Sequence, residues 1–254
     1  MLDSHEKQFH IPLSHGEVGE YCILPGDPGR CEKIAAFLDN PHHVIQNREY
    51  NVWNGTLRGK TVTVCSTGIG GPSTAIAVEE LAACGARTFI RVGTSGGISL
   101  DVKCGDVVIA SGAVRQDGTS HEYAPPEFPA VPNSDVLFSL VQAARELGYD
   151  HHTGVVQSKD SFYGQHSPLR MPIASALAEK WEAWKRLGVL ASEMEASTLF
   201  TVGAALGVQT GAVFHVIWNQ ERANAGLDTS ADEKHDTEKA IKVAIRAIEH
   251  LIEQ

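Results

Sequence analysis

Short apolar runs alternate along the chain with stretches whose apolar positions recur every three or four residues. The runs Tyr21–Leu24, Thr61–Ser66, Thr88–Val92, Asp106–Ala110, Gly154–Gln157, Val189–Ser192 and Ala212–Ile217 are short and bounded by turn residues, so they predict strands. They lack strict polar alternation, which marks strands covered on both faces. Between them, Ser73–Cys84, Ser134–Leu147 and Glu195–Leu206 predict helices. A last helix over Thr237–Glu253 places Ile241, Ile245, Ile248 and Ile252 on one face at spacings of four, three and four. Such alternation predicts an α/β architecture. No linker, repeat or low-complexity tract breaks the pattern, so one domain over residues 1–254 is expected.

Glycines gather where these strands are expected to end, in Pro25-Gly26-Asp27-Pro28, Thr67-Gly68-Ile69-Gly70-Gly71-Pro72-Ser73 and Gly93-Thr94-Ser95-Gly96-Gly97. Ligands of open α/β sheets bind beyond the carboxyl ends of the strands, and glycine lets backbone approach a ligand closely. Three such loops predict a small-molecule site, although Pro-Gly-Asp-Pro alone also reads as a tight turn. The second loop lacks the Lys-Ser/Thr of a P-loop, and Ser73 stands where a dinucleotide fingerprint has its third glycine, so neither ATP nor NAD is expected.

Composition narrows the partners. The formal net charge is −10, which disfavours phosphodiester backbones and argues against nucleic acid. No apolar run reaches the roughly 18 residues of a membrane span, and the opening Met1-Leu2-Asp3-Ser4-His5-Glu6-Lys7 lacks the basic start and apolar middle of a leader. A cytoplasmic location is the expectation. The five cysteines (Cys22, Cys31, Cys65, Cys84, Cys104) show no paired spacing and read as reduced packing residues. The histidine and cysteine spacings match no zinc pattern, and no G-x-S-x-G elbow occurs, so neither a catalytic metal nor a serine nucleophile is expected.

Two features carry more chemistry. In Glu193-Met194-Glu195 an extended backbone would turn both carboxylates the same way. They read either as acceptors for vicinal sugar hydroxyls or as charges complementing a helix N-terminus. Arg91 ends the run Thr88-Phe89-Ile90 and leads into the third glycine loop. It reads as a phosphate ligand or as a member of a structural ion pair.

Taken together, the segments PGDPGRCEKIA (Pro25–Ala35), REY (Arg48–Tyr50), STGIGGPSTAIAVEEL (Ser66–Leu81), RVGTSGGI (Arg91–Ile98), EFPAV (Glu127–Val131), SFYGQ (Ser161–Gln165) and SEMEAS (Ser192–Ser197) resemble the uridine-cleaving branch of the nucleoside phosphorylase-I family. The resemblance runs from about Phe9 to the C-terminal helix. It implies a single-domain three-layer α/β/α sandwich around a twisted, partly barrel-like mixed sheet, assembled as a homohexamer of three dimers. The implied activity is reversible phosphorolysis of uridine, deoxyuridine or thymidine, with nucleoside and inorganic phosphate as small-molecule partners and no cofactor. A purine nucleoside phosphorylase, a nucleosidase and a non-catalytic nucleoside-binding protein are the alternatives.

By the same resemblance, phosphate falls to Gly26, Arg30, Arg91 and Thr94, joined by Arg48 of a neighbouring subunit. Ribose falls to Met194 and Glu195, with His10 reaching across from the neighbour. The base falls to Phe162, Gln165, Arg170 and Ile217. Glu49, Ile69 and Ser73 match positions that hold a potassium ion between subunits in some members. Arg91, Gln165, Arg170 and Glu195 are then the catalytic set. Two departures stand out. The better-known base loop reads Phe-Tyr-Pro-Gly-Gln-Glu-Arg, whereas here the interval from Gln165 to Arg170 is longer. Trp218 stands where a smaller residue is usual, and Asn219 stands where purine-acting relatives carry an aspartate.

Overall fold

The computed structural model describes residues 6–227 and 237–254, so residues 1–5 of the leader argument lie outside the described residues. In chain order the elements are β1 (Tyr21–Pro25), α1 (Gly29–Ala35), β2 (Asp39–Asn47), β3 (Tyr50–Leu57), β4 (Lys60–Cys65), α2 (Gly71–Ala83), β5 (Thr88–Gly97), β6 (Val107–Gln116) and α3 (Thr119–Tyr123). They continue with α4 (Ser134–Glu146), β7 (His151–Lys159), α5 (Phe162–His166), α6 (Ala174–Arg186), β8 (Ala191–Glu193), α7 (Ala196–Leu206), β9 (Gln209–Asn219), α8 (Gln220–Asn224) and α9 (Glu238–Ile252).

The nine strands among the described residues share one sheet, in the order β2-β3-β4-β1-β5-β8-β7-β6-β9, and β9 returns to pair with β5. That return closes β5, β8, β7, β6 and β9 into a ring, while β1 to β4 extend from it as an open wing. The expected mixed, partly barrel-like sheet is thus present.

Period-two alternation sorts the side chains to two sides. Cys22 and Leu24 of β1 pack with Val78 and Leu81 of α2 and with Leu199 and Val202 of α7. Ile23 faces the opposite way, into a cluster with Ile34 of α1, Leu140 of α4 and Val243 and Ala247 of α9. Helices therefore cover both faces, as a three-layer arrangement requires. Of the isoleucine stripe on α9, Ile241 and Ile248 are buried, while Ile245 and Ile252 pack at its margin.

Each of the seven predicted strands lies in the sheet. The third glycine loop, however, is not a loop: β5 runs on through Gly97. The hairpin β2–β3 was not expected, because Asp39, Asn40, Pro41, His42 and His43 are exposed on an edge strand and carry no apolar signal. Helix α6 was also not expected, and none of its residues is fully buried. None of the five cysteines forms a disulfide, and all but Cys104 are buried. No helix among the described residues is long and apolar enough to cross a membrane.

Candidate active site

The sheet forks within β5. Pairing with β1 ends at Pro25 opposite Val92, and pairing with β8 begins only at Ser192 opposite Gly96. Between these points Gly93, Thr94 and Ser95 pair along one edge with β9. The other edge opens where neighbouring strands part, which is the kind of crevice that binds ligands in α/β sheets.

Arg91 lies just before the fork. It is two residues beyond Phe89 and so shares its face, where α2 and α7 would ordinarily demand an apolar residue. The guanidinium is instead held by charge. Nη2 donates to Glu195 Oε2, Nε lies 3.6 Å from Glu193 Oε2, and Nη1 reaches Thr67 Oγ1 at 3.5 Å. The three charged side chains are 6%, 4% and 1% exposed for Arg91, Glu195 and Glu193. Two glycines give this head its room: a Cβ on Gly26 would stand 3.6 Å from Arg91 Nη2, and one on Gly93 would stand 3.3 Å away. Arg30, at the start of α1, is near enough for Arg91 to help lower its pKa; burial is the larger cause, and Asp27 opposes both. Thr94 is half-buried in the fork. Two buried polar atoms here have no hydrogen-bond partner among the described residues, Arg91 Nε and Ser95 Oγ. Native interiors rarely leave such groups unmatched without a reason.

The two carboxylates of the acidic triplet are engaged differently, and the helix-terminus expectation is met by Glu193. Glu193 accepts from the backbone N–H of Glu195 at 2.8 Å, from that of Ala196 at 3.0 and 3.1 Å, and from the Ser158 hydroxyl. It thereby holds the start of α7, and burial, then the neighbouring Glu195, raise its pKa. Glu195 instead accepts from Gly70 N–H at 2.6 Å and from Arg91. A carboxylate has about four acceptor directions, so Glu195 retains capacity for further donors. Met194 between them is half-buried.

On the far side of β8, Gln165 of α5 lies close to the sheet: Ser192 Oγ donates to its Oε1 at 2.6 Å. Gln165 and the buried Lys159 also line a cavity of about 530 Å³, closed by Trp181 and Trp184 of α6 and by Glu221 of α8. This cavity adjoins the arginine cluster and does not contain it. Phe162 is half exposed and contacts His166 with ring centroids 4.3 Å apart; His166 in turn stacks toward Trp218 at 6.4 Å. Burial, reinforced by Lys159, lowers the His166 pKa. Ile217 is half-buried near the end of β9. Arg170 is not brought to Gln165 here; it is exposed and lies over the Tyr163 ring at 5.5 Å. Asn219 is committed to backbone, donating to Ser99 O and Val102 O and accepting from Glu221 N and Arg222 N as the cap of α8.

His10 and Arg48 sit together on another surface. Glu80 of α2 accepts from the backbone N–H groups of His10 and Ile11 and contacts His10 Nδ1 at 2.8 Å, while Asn47 donates to His10 O. Arg48 is exposed at the tip of the β2–β3 hairpin. The adjacent Glu49 packs against Gly68, and Ser73 Oγ donates to Ile69 O at 3.3 Å, so Glu49, Ile69 and Ser73 are close together. No cluster of three His, Cys, Asp or Glu residues suited to a metal exists among the described residues.

The profile of the phosphorylase superfamily matches residues 20–253. The chain belongs to that superfamily. Within it, the chain is 54% identical to a uridine phosphorylase of Treponema pallidum over all of this chain and 98% of the relative. It is 42% identical to a uridine phosphorylase of Klebsiella aerogenes over 96% of this chain and 98% of the relative. A guanosine phosphorylase of Halorubrum lacusprofundi is 40% identical over 95% of this chain and 98% of the relative. Beside the Arg91 cluster and the adjoining cavity stand polar residues to which sequence reasoning gave no role: Ser95, Lys159, His166 and Ser192. Ser95 and Ser192 lie within the segments RVGTSGGI and SEMEAS, whereas no local motif marks Lys159 or His166.

Proposed function

We propose that the protein is a uridine phosphorylase, a pentosyltransferase that cleaves uridine with inorganic phosphate to uracil and ribose 1-phosphate. The observation that carries this reading is the buried Arg91, fixed by Glu195 at the fork of the sheet, with the Ser95 hydroxyl nearby in the same strand left without a hydrogen-bond partner among the described residues. Phosphate is assigned to Gly26, Arg30, Arg91 and Thr94. The fork supplies backbone and hydroxyl groups there, and the arginines supply charge. Glu195 and Met194 hold ribose, with Glu195 accepting from the vicinal hydroxyls.

As the glycosidic bond breaks, positive charge grows on the sugar and negative charge on the base. Bound phosphate opposes the first and captures C1′, while amide and guanidinium donors of the base pocket stabilise the second. Catalysis then rests on positioning and preorganised electrostatics. We further assign Arg48 and His10 to a neighbouring subunit's site. Their shared surface, tied together through Asn47, supports an assembly in which sites are completed across interfaces, in a homohexamer. Glu49, Ile69 and Ser73 would hold an intersubunit potassium ion.

The guanosine-cleaving relative raises a purine alternative. Against it, Asn219 stands at the position expected of a purine acid, and its amide is fully engaged by backbone. The test is incubation with uridine, thymidine, inosine and 5′-methylthioadenosine, with and without phosphate. Phosphate-dependent release of uracil is expected, with inosine at least about a thousandfold less efficient, within reach of a site that would leave buried polar groups unpaired. Efficient inosine cleavage would overturn the pyrimidine reading, and phosphate-independent cleavage would overturn phosphorolysis.

A further inference from the structure

Lys159, the last residue of β7, is 5% exposed, yet its partner is a hydroxyl and not a carboxylate. Nζ donates to Ser192 Oγ at 2.7 Å, and Ser192 Oγ donates to Gln165 Oε1 at 2.6 Å. The direction of this chain is set by chemistry. An ammonium only donates, so the serine hydroxyl accepts from it and must send its single proton onward. The acceptor it reaches is the carbonyl oxygen of Gln165. That oxygen is thereby held at Ser192, which fixes the amide plane and leaves the two N–H donors of Nε2 for a ligand. A charged donor at the head also polarises the bonds that follow it.

We propose that Lys159 is a positioning residue which, through Ser192, fixes and polarises the Gln165 amide so that its N–H donors meet a carbonyl oxygen of the departing base. This deepens the proposed phosphorolysis and rests on it. A phosphate oxygen bonds to C1′ as the C1′–N1 bond breaks, and the bonding pair passes to N1 and spreads onto the ring carbonyls. Lys159 keeps its proton throughout. We take this carbonyl to be the one at C4, so the base class that fits is uracil or thymine; cytosine shares their C2 carbonyl but carries an exocyclic amine at C4, which would oppose donor to donor. The charged and titratable groups around Lys159 are Glu193 at the end of β8 and Glu195 before α7, which favour its ammonium form, and His166 of α5. Asp160 beside it, Lys180 and Glu182 of α6, and the paired Lys185 of α6 and Glu221 of α8 line the same cavity. Burial dominates and brings the Lys159 pKa down to about 8.

The test compares K159M, K159R and S192A with the wild type, using uridine and 5-fluorouridine, whose base is the more acidic leaving group. K159M is expected to lower kcat for uridine about tenfold to a hundredfold, the scale of a lost donor acting in the transition state. The loss on 5-fluorouridine should be markedly smaller, because that base needs less help. KM for phosphate should not move, S192A should match K159M, and K159M/S192A should be no worse than either. The alkaline fall of the wild-type rate near pH 8 should vanish in K159M, and K159R should retain most activity. Equal losses on both substrates, additive losses in the double variant, or an unchanged alkaline limb would each overturn the relay. Should K159M not fold, S192A alone decides between these outcomes by its leaving-group dependence. A wild type inactive on uridine would overturn the proposed function; calorimetric binding of uracil and cytosine would still judge the relay, which requires K159M to narrow the preference for uracil.

Discussion

Removing Arg91 should destabilise the protein as well as disable it, and the two effects should be separable. The guanidinium lies between Glu193 and Glu195, and all three side chains are at most 6% exposed. Arg91→Ala leaves two buried carboxylates facing each other without their cation. Breaking a buried ion pair by removing one partner costs about 3–5 kcal/mol. At about 2–4 °C per kcal/mol for a chain of this size, that lowers Tm by roughly 6–20 °C. Glu193, already raised by burial and then by Glu195, would lose the opposing effect of Arg91 and titrate further above its unfolded value. The folded variant then binds more protons than its unfolded chain, so its stability falls as pH rises through that interval. Arg91→Met combined with Glu195→Gln removes one charge of each sign and should recover at least half of the lost Tm. Neither variant should regain activity: loss of a charged contact in the transition state lowers kcat/KM about a hundredfold to a thousandfold. Thermal unfolding across pH, with uridine phosphorolysis measured well below saturating phosphate, reads both effects. An Arg91→Ala protein with the wild-type Tm, or a double variant with near-normal turnover, would refute the reasoning.

Gln165→Ala should lower kcat/KM for uridine by about 2–4 kcal/mol, whereas Arg170→Ala should cost less than about tenfold because its guanidinium rests over Tyr163; a larger Arg170→Ala loss would show that Arg170 leaves that ring when base binds. Mixing Arg48→Ala with Gln165→Ala subunits should restore partial phosphorolysis through hybrid assemblies, and hybrids proven by mass spectrometry but inactive would count against shared sites. Glu146 joins α4 to α9; hydrogen bonds from Gln142 and then Arg246 hold its carboxyl at about 2. The stability it adds is complete above its unfolded value of about 4.3 and is lost as pH falls toward the folded value. Glu146→Gln should therefore lose less Tm than the wild type on acidification, as measured by scanning calorimetry, and an unchanged acid sensitivity would reject this.

The strands of the central sheet were legible because both their faces meet helices, which forces apolar runs such as Thr88-Phe89-Ile90. The edge hairpin and α6 were not, since Asp39–His43 and the α6 residues meet little protein and answer to no core. Arg91, Glu193 and Glu195 could be singled out because charge at a core-facing position is conspicuous. Their division of labour could not be read, as it depends on which backbone amides α7 turns toward Glu193. The chain Lys159–Ser192–Gln165 joins residues about thirty positions apart in sequence by hydrogen bonds that leave no motif. Arg170 could be named, but its stacking on Tyr163 depends on a loop path that spacing does not specify.

Over Thr88–Val92, strand β5 is flanked by β1 on one edge and β9 on the other, and it then passes into the closed ring. Its amides can exchange with deuterium only when both halves of the sheet come apart, so they should be among the slowest in the molecule and report global opening. The Arg91 cluster is thus mounted on the last strand to let go. Heat inactivation should then follow the folded fraction directly, with no temperature window in which an intact fold carries a disordered Arg91 cluster. The thinly anchored α6, by contrast, is free to fray earlier and alter access to the cavity while Arg91 remains in place.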